Sequence, residues 1–538
     1  MHPFAGAFSA LLPHLGDLPG RLLRSQQRLL ASGALDSRVL VGVNQQLATA
    51  MAALWRDVQG ESAQTAFFTY LRKAHALQTL WCQQLLERLQ LPGEEGLRFR
   101  FLLTQWTAAC HPDNFIGSNP DALEKMWRSH GESLRRGQDM LRGDLARGRI
   151  SMCDETDFEV GRNLACTPGA VVFENDIMQI IQYTPSTALV DRRPLLVVPP
   201  FINKYYVLDL SPENSFVRFA RDSGLQVFMI SWRNPVEANC ALTWDDYASR
   251  GVGAATQVAT DVTREARLDV CGFCVGGTLL SSALAAGTGQ GRVASLTLLA
   301  ALLDFSDVGD VRAYLDEDFV SRNEEQYGRE GLVPGVQLAA AFASLRPESL
   351  IWRYVVQNYL MGETPAAFDL LYWNSDSTNV PGPLYTWYVR ELYLCNKLRI
   401  PGAVRINGAP ANLDQLSMPA YVVGAEKDHI VPWRSAYASA KLLSGDRQFV
   451  LASSGHIAGI VCPPGTVGRT YREVHLGDES PDAMRGSNPV RMGSWWPHWR
   501  AWLGGQKGRS TIRARAGLGA EGYPVIEPAP GRYVGVRT

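Results

Sequence analysis

The sequence predicts an α/β fold in which a parallel sheet is flanked by helices. Short apolar runs alternate with longer helical stretches between residues 195 and 303, which is typical of a parallel sheet. One apolar run, Leu268 to Cys271, leads through a turn of small residues into a helix that begins near Val275. A reactive side chain, Cys274, occupies the apex of that turn. This strand, turn and helix form the nucleophile elbow that defines the α/β-hydrolase fold.

The elbow consists of Gly272-Phe273-Cys274-Val275-Gly276-Gly277. Its glycines leave room where a Cβ atom would clash in a tight turn. The N-terminus of the following helix favours a thiolate, and the Val275 N–H is placed to donate to an oxyanion. A lone G-x-C-x-G sequence also fits a buried, inert cysteine, but the flanking strand and helix favour a nucleophile.

A nucleophile needs a base and an orienting acid, which follow it in the chain in this fold. Asp428 comes just after one predicted strand and His456 just after the next, so we expect them to be the acid and the base. Glu426 is a weaker candidate for the acid. His429 either lines the site or stabilises its own loop. The two strands are predicted over residues 420–424 and 448–452.

A second oxyanion donor is expected in the loop after an earlier strand. The strand from Leu195 to Val198 is followed by two prolines, which carry no N–H group. Phe201 or Ile202 is therefore the expected donor. The next strand is predicted over residues 226–230, and a helix over residues 244–267.

More than a hundred residues separate the strand predicted at Leu296–Leu303 from the strand that precedes Asp428, far more than an ordinary connection needs. Residues 304–398 of this insertion are rich in Phe, Tyr, Leu and Trp, which predicts a cap subdomain over the elbow. An ordinary apolar insertion that packs on the core is the alternative interpretation.

The N-terminal part has a different character. Apolar residues recur at helical spacing over residues 18–95, which predicts an α-helical domain over residues 1–165. A β-prone passage from Ala170 to Tyr183 leads into the sheet, so the catalytic domain is expected over residues 166–538. Near the C-terminus, Gly504 to Arg515 predicts an exposed linker.

Composition narrows the classes of function. A net charge of −1 gives no sign of nucleic-acid binding, and the nine scattered cysteines suit a reducing cytoplasm. The sequence contains no phosphate-binding glycine motif and no metal-ligand spacing, so neither a cofactor nor a metal is expected. It also lacks an eighteen-residue apolar run and a charged leader, which predicts no membrane span.

Together these motifs resemble the polyhydroxyalkanoate synthases, and among them the class I enzymes. The segment NVPGPLYTWY (379–388) is similar to the short-chain class I pattern, and the long N-terminal region disfavours the synthases that need a partner subunit. The matching segments are PPFINKYYVLDL (199–210), SWRNP (231–235), GFCVGG (272–277), FDLLYWNSDSTNVPGP (368–383), DHIVPW (428–433), SGHIAG (454–459), GSWWP (493–497) and EPAPGRYV (527–534).

The resemblance implies an acyltransferase that polymerises (R)-3-hydroxyacyl-CoA, chiefly 3-hydroxybutyryl-CoA, into polyester with release of CoA. It also implies a homodimer at the surface of cytoplasmic polyester granules, in contact with phasin-like proteins. His429 and Trp373 are the expected substrate-binding residues, the latter among the cap aromatics that affect which acyl side chain is accepted.

Two other functions are compatible with parts of the pattern. A cytoplasmic thioesterase or polyester depolymerase would use the same fold, but the cysteine elbow and the large cap argue against hydrolysis. A non-catalytic granule coat protein would explain the amphipathic N-terminus, but not the ordered Cys, Asp and His set.

Overall fold

The structure, a computed structural model, describes residues 18–31, 37–57, 63–89, 91, 93–478 and 480–537. It divides into two compact units. Unit 1 comprises the described residues of Met1–Glu155, together with Asp310–Tyr314 and Val336–Phe368. Unit 2 comprises Thr156–Gly309, Leu315–Gly335 and the described residues of Asp369–Thr538. The first seventeen residues of the predicted helical domain lie outside the described residues.

Unit 1 is built mainly from helices, which confirms the helical character predicted from apolar spacing. Leu29, Cys82, Leu86, Phe99 and Leu103 are buried together where three of these helices meet. The helices are Leu18–Ala31, Ser37–Asp57, Ala63–Leu89, Gly93–Ala109, Pro112–Asn114, Pro120–Arg128, Glu132–Arg147, all but the first residue of Gly335–Ser344, Glu348–Trp352 and Val355–Leu360.

Unit 2 contains an eleven-stranded sheet, which confirms the predicted α/β class. The strands of this unit are β1 Gly169–Glu174, β2 Met178–Tyr183, β3 Leu189–Asp191, β4 Pro194–Val198, β5 Gln226–Trp232, β6 Leu268–Phe273, β7 Val293–Leu299, β8 Leu332–Val333, β9 Val380–Pro381, β10 Arg405–Ile406, β11 Ala409–Pro410, β12 Ala420–Ala425, β13 Arg447–Ala452, β14 Thr470–Val474, β15 Arg491–Met492, β16 Thr511–Arg513 and β17 Glu527–Pro528. The order of strands across the eleven-stranded sheet is β15-β14-β13-β12-β7-β6-β4-β5-β2-β1-β17. Three two-stranded pairs lie outside this sheet, namely β3 with β16, β8 with β9 and β10 with β11.

The centre of the sheet is parallel, as predicted, but both edges are not. Strands β5, β4, β6, β7, β12 and β13 pair in parallel. The edge strands β2, β1, β17, β14 and β15 pair antiparallel. The predicted end of β7 at Leu303 is wrong: the strand ends at Leu299 because Ala300 has a φ of +42°, which turns the chain out of the sheet.

Unit 2 also contains helices, both between the strands and in the long segment between β7 and β12. The helix after β5 begins as Trp244–Asp246, widens to a π-helix over Tyr247–Gly253 and ends as Ala254–Thr263. The other helical elements of unit 2 are Tyr205–Leu208, Phe216–Asp222, Glu237–Asn239, Val275–Ala285, Gln290–Arg292, Glu317–Tyr327, Asp369–Ser375, Gly382–Trp387, Tyr388–Leu394, Lys397–Arg399, Leu413–Gln415, Trp433–Lys441, Pro481–Ser487, Trp496–Gly504 and Tyr533–Gly535. A short helical element, Gly309–Tyr314, has its first residue in unit 2 and the others in unit 1.

The segment from Gly504 to Arg515, predicted to be an exposed linker, is exposed at Ser510, Thr511, Arg513 and Arg515, but its second half is not a linker. Strand β16 pairs with β3, and the Arg509 side chain is buried against two carboxylates. Pairing between segments this far apart in the chain leaves no local pattern in the sequence. Among the helices of the described residues, none combines the length and the apolar character that a membrane crossing requires.

Candidate active site

The elbow places Cys274 between the end of β6 and the start of the helix Val275–Ala285. Cys274 has a φ of +51°, a conformation that is strained for a residue with a side chain. A Cβ on Gly272 would lie 2.4 Å from Gly277 Cα, and a Cβ on Gly276 would lie 2.3 Å from the Pro199 carbonyl oxygen. The predicted clashes are therefore confirmed, and only glycine fits at either position without a shift of the backbone.

The Cys274 thiol is half-buried at the N-terminus of that helix. The backbone N–H of Cys274 donates to the Leu299 carbonyl at 2.9 Å, which ties the apex of the turn to the end of β7. Val275 is the first residue of the helix, so its N–H has no intrahelical acceptor. The positive end of the helix dipole favours negative charge at this point, and the Val275 N–H can donate a hydrogen bond to an oxyanion.

Asp428 and His456 are joined by a short hydrogen bond. His456 Nδ1 lies 2.7 Å from Asp428 Oδ2, and both side chains are almost completely buried. The other carboxylate oxygen of Asp428 accepts the backbone N–H groups of Ile430 at 2.9 Å and Val431 at 2.8 Å. Because both oxygens are engaged, the carboxylate has one orientation and fixes the imidazole ring.

The Cys274 sulfur is the other polar neighbour of this imidazole. Burial lowers the pKa of His456, but the Asp428 carboxylate, together with the charge and hydrogen bond of Cys274, outweighs burial and raises it to about 10. The ring also stacks on Phe273 at a centroid distance of 5.4 Å. This imidazole therefore binds a proton more readily than that of a free histidine.

Two other candidate residues of the Asp428 loop, Glu426 and His429, are placed differently. Glu426 is exposed, and its carboxylate forms an ion pair with Arg485 at 2.9 Å. His429 is half-buried in the loop directly after Asp428. The structure thus joins Asp428, and not Glu426, to the imidazole.

The expected oxyanion loop follows β4 and lies against the elbow. The Pro199 carbonyl, which the Gly276 backbone approaches, also accepts the indole N–H of Trp232 at 2.9 Å. Phe201 is buried, and its ring contacts Tyr247 at a centroid distance of 5.4 Å. Ile202 is half-buried beside it. Both expected donors therefore belong to a loop whose start is in contact with the nucleophile turn.

Trp373 lies behind this loop. Its indole N–H donates to the Lys204 carbonyl at 2.7 Å, and its side chain is buried. The structure therefore places Trp373 against the oxyanion loop.

Sequence reasoning identified the cap aromatics only as a class and missed two tyrosines near the sulfur. Burial raises the pKa of Tyr388 and of Tyr393, and the nearby charge of Cys274 raises both further. Their rings meet at a centroid distance of 5.1 Å, and Phe305 contacts Tyr393 at 4.9 Å. The signal in the sequence was the run WYVRELY at 387–393, but many aromatic residues of the cap share that pattern.

Two family models match parts of this chain. The family model for the poly-beta-hydroxybutyrate polymerase (PhaC) N-terminus matches residues 56–220, and that for the alpha/beta hydrolase fold matches residues 194–463. A hydrolase structure from Pseudomonas aeruginosa matches with a TM-score of 0.32 at 14% identity, over 54% of this chain and 92% of that one.

Curated relatives match over most of their length. The poly(3-hydroxyalkanoate) polymerase subunit PhaC of Cupriavidus necator is 47% identical over 472 residues, which cover 86% of this chain and 79% of the relative. The subunit of the same name from Rhizobium meliloti is 38% identical, with 88% and 78% covered. Poly(3-hydroxyalkanoate) polymerase 2 of Ectopseudomonas oleovorans is 36% identical, with 95% and 91% covered.

Proposed function

The chain belongs to the poly(3-hydroxyalkanoate) polymerase family, and from that premise we propose that it polymerises (R)-3-hydroxyacyl-CoA, chiefly 3-hydroxybutyryl-CoA, through an acyl group carried on Cys274. The observation that carries this proposal is the buried imidazole of His456, held by Asp428 on one side and close to the Cys274 sulfur on the other. Cysteine, base and acid are the three groups that a covalent acyl transfer requires.

In the first step the Cys274 sulfur, its proton held by His456, attacks the thioester carbonyl of the substrate. The carbonyl oxygen becomes an oxyanion, which the N–H of Val275 and an N–H of the loop at Phe201 or Ile202 stabilise. The C–S bond to CoA then breaks, and His456 returns the proton to the leaving thiolate. Asp428 supports the imidazolium throughout.

In the second step the 3-hydroxyl group of the acceptor attacks the acyl group on Cys274. His456, now neutral, takes the hydroxyl proton, and the bond between the carbonyl carbon and the sulfur breaks. One ester is added, and the Cys274 thiolate is regenerated. Exchange between two thioesters is nearly thermoneutral, whereas formation of an ester from a thioester is downhill and drives chain growth.

Water would end the chain if it reached the acyl group on Cys274. Phe201, Tyr388 and Phe305 are buried, and they form a continuous aromatic contact next to the elbow. His429 is proposed to contact substrate because it follows Asp428 directly, and Trp373 to affect side-chain preference through the loop it supports. These features favour transfer to a hydroxyl group over hydrolysis by a thioesterase or depolymerase.

Replacement of the nucleophile tests the proposal. We expect Cys274→Ala to abolish both CoA release and polymer formation from (R)-3-hydroxybutyryl-CoA, because no other group can form the acyl intermediate. Mass spectrometry of the unaltered protein during turnover should find the acyl group on Cys274.

The matched control is Cys395→Ser, which changes an exposed cysteine and should leave turnover unchanged. Substantial polymer synthesis by Cys274→Ala would exclude this residue as the nucleophile. Release of free 3-hydroxybutyrate without polymer by the unaltered protein would indicate a thioesterase instead.

We further propose that residues 166–538 carry the chemistry, with a cap over about 304–398, and that the chain is a class I synthase. A homodimer, phasin-like partners and a place on the surface of cytoplasmic granules follow from the same resemblance. Light scattering of the purified protein and microscopy of a fluorescent fusion in polymer-accumulating cells test assembly and location.

A further inference from the structure

One buried hydroxyl group connects the segment before β9 to the oxyanion loop. Thr378 Oγ1 donates to the Phe201 carbonyl at 3.0 Å and accepts the Asn203 N–H at 2.9 Å. The Thr378 residue is 4% exposed. A single side chain thus binds the backbone on both sides of Ile202, although 175 positions separate it from Asn203 in the chain.

The hydrogen bond to the Phe201 carbonyl determines the direction of the peptide group between Phe201 and Ile202. In a trans peptide the carbonyl of one residue and the N–H of the next share a plane and point in opposite directions. With the Phe201 carbonyl bound to Thr378, the Ile202 N–H must point away from Thr378. The Asn203 N–H is already occupied by Thr378 and is not free to serve as a donor.

The backbone of this loop turns at Asn203. Asn203 has a φ of +65°, a left-handed conformation that asparagine adopts more readily than other residues with a side chain. Removal of the hydroxyl group would leave the Phe201 carbonyl and the Asn203 N–H without these bonds. The loop would then be free to relax by a peptide rotation.

A second contact anchors the same loop one residue further on. Lys204 Nζ lies 2.8 Å from Asp376 Oδ1 and donates to the Val534 carbonyl at 2.7 Å. The side chains of Lys204 and Asp376 are 3% and 2% exposed, so the ion pair is shielded from water. The loop is therefore held at Phe201, Asn203 and Lys204 by residues that lie far from it in the sequence.

We propose that Thr378 is a positioning residue for acyl transfer, which acts through the oxyanion loop by orienting the Ile202 N–H. This inference rests on the proposed function of Cys274. Thr378 does not touch the reacting atoms in this assignment; it holds the backbone that stabilises the oxyanion.

The test separates oxyanion stabilisation from reactivity of the sulfur. Acyl transfer from a CoA thioester passes through an oxyanion, whereas alkylation of a thiolate by iodoacetamide does not. We expect Thr378→Val to slow acyl transfer to Cys274 about 10- to 100-fold, as a small misplacement of a catalytic group does. The rate of Cys274 alkylation should stay within about twofold of the unaltered protein, because the elbow and His456 are unchanged. Rapid-quench measurement of CoA release in the first turnover gives the former rate.

Two further variants act as controls. Thr378→Ser keeps the hydroxyl group and should restore most of the acyl transfer rate. Thr386→Val makes the same chemical change at a residue of similar burial, whose hydroxyl bonds only to carbonyls of its own helical segment. It should leave both rates unchanged. If valine at position 378 prevents folding, Thr378→Ala is measured in the same way.

Unimpaired acyl transfer in the valine or alanine variant would overturn the inference. A parallel loss of acyl transfer and alkylation would also overturn it, since that result indicates a general disturbance of the elbow. Absence of any acyl group on Cys274 in the unaltered protein would instead overturn the proposed function, and this inference with it.

Discussion

Two opposing effects act on the pKa of His456, namely burial and the negative charges beside the ring. Burial alone would lower its pKa below 6.5, but two partners reverse the direction. Asp428 is itself held by two backbone N–H groups, so it stays in place as a carboxylate acceptor. In the proposed mechanism the Cys274 sulfur is the partner that changes, because it carries no charge while it holds an acyl group. The basicity of His456 would then follow the state of Cys274.

We expect Cys274→Ala to lower the pKa of His456 by about 1–3 units from its value of about 10, because the variant removes a nearby negative charge. NMR titration of protein labelled at histidine measures this pKa, and His456→Gln identifies the resonance. The same fall in the acyl enzyme would leave His456 ready to accept a proton from the acceptor hydroxyl group.

The raised pKa of His456 also makes the stability of the fold depend on pH. The stabilisation by protonated His456 is fully present below pH 6.5 and is lost as the pH rises through about 10.

An unchanged His456 pKa in the Cys274→Ala variant would contradict the prediction made for that variant, because it would show that the sulfur does not influence the imidazole.

At the scale of elements, the elbow and the oxyanion loop are one packed unit. The first turn of the helix Val275–Ala285 approaches the backbone at Val198 and Pro199 so closely that Gly276 has no space for a side chain. The Trp232 indole N–H holds the same Pro199 carbonyl from β5. Close contact at this point fixes the start of the loop that contains Phe201 and Ile202, the proposed oxyanion donors, against the turn at Cys274.

We expect Gly276→Ala to destabilise the protein by about 1–3 kcal/mol and to reduce turnover about 100-fold, because the new methyl group must displace the backbone at Pro199. Thermal unfolding and steady-state CoA release measure the two effects. Gly291→Ala is the matched control, since a Cβ there meets no atom within 4 Å. Equal behaviour of the two variants would contradict the close contact at Pro199.

At the scale of the whole molecule, the last thirty residues return to strands that form more than two hundred positions earlier. Arg509 donates to Asp191 at 2.7 Å and to Asp269 at 2.7 Å, and all three side chains are nearly inaccessible to water. Strand β17 pairs with β1, and Lys204 Nζ donates to Val534. The C-terminal segment therefore contacts the sheet at two places, strand β1 and the start of β6, the strand that precedes Cys274.

We expect Arg509→Met to destabilise the protein by about 3 kcal/mol or more, because it leaves buried carboxylates without their main cation. Arg513→Met changes an exposed arginine of the same segment and should have an effect below about 0.5 kcal/mol. Thermal or urea unfolding of the two variants provides the comparison. A small effect at Arg509 would show that the segment contributes little to the sheet.

The parts of this protein that depend on local order along the chain could be predicted before its structure was known. Strand, small-residue turn and helix around Cys274 are contiguous, so apolar periodicity and glycine placement identify them without a structure. Asp428 and His456 were found because each follows its strand directly, and parallel strands end at the same edge of a sheet.

Tertiary structure decided the contacts between segments that lie far apart in the chain. Glu426 and Asp428 follow the same strand, and only the fold shows that Arg485 binds the first while His456 binds the second. Thr378 and Arg509 carry no local pattern that distinguishes them from other polar residues, yet the fold buries both against distant partners. Periodicity reports which face of an element is buried, whereas the identity of a distant partner depends on how the elements pack.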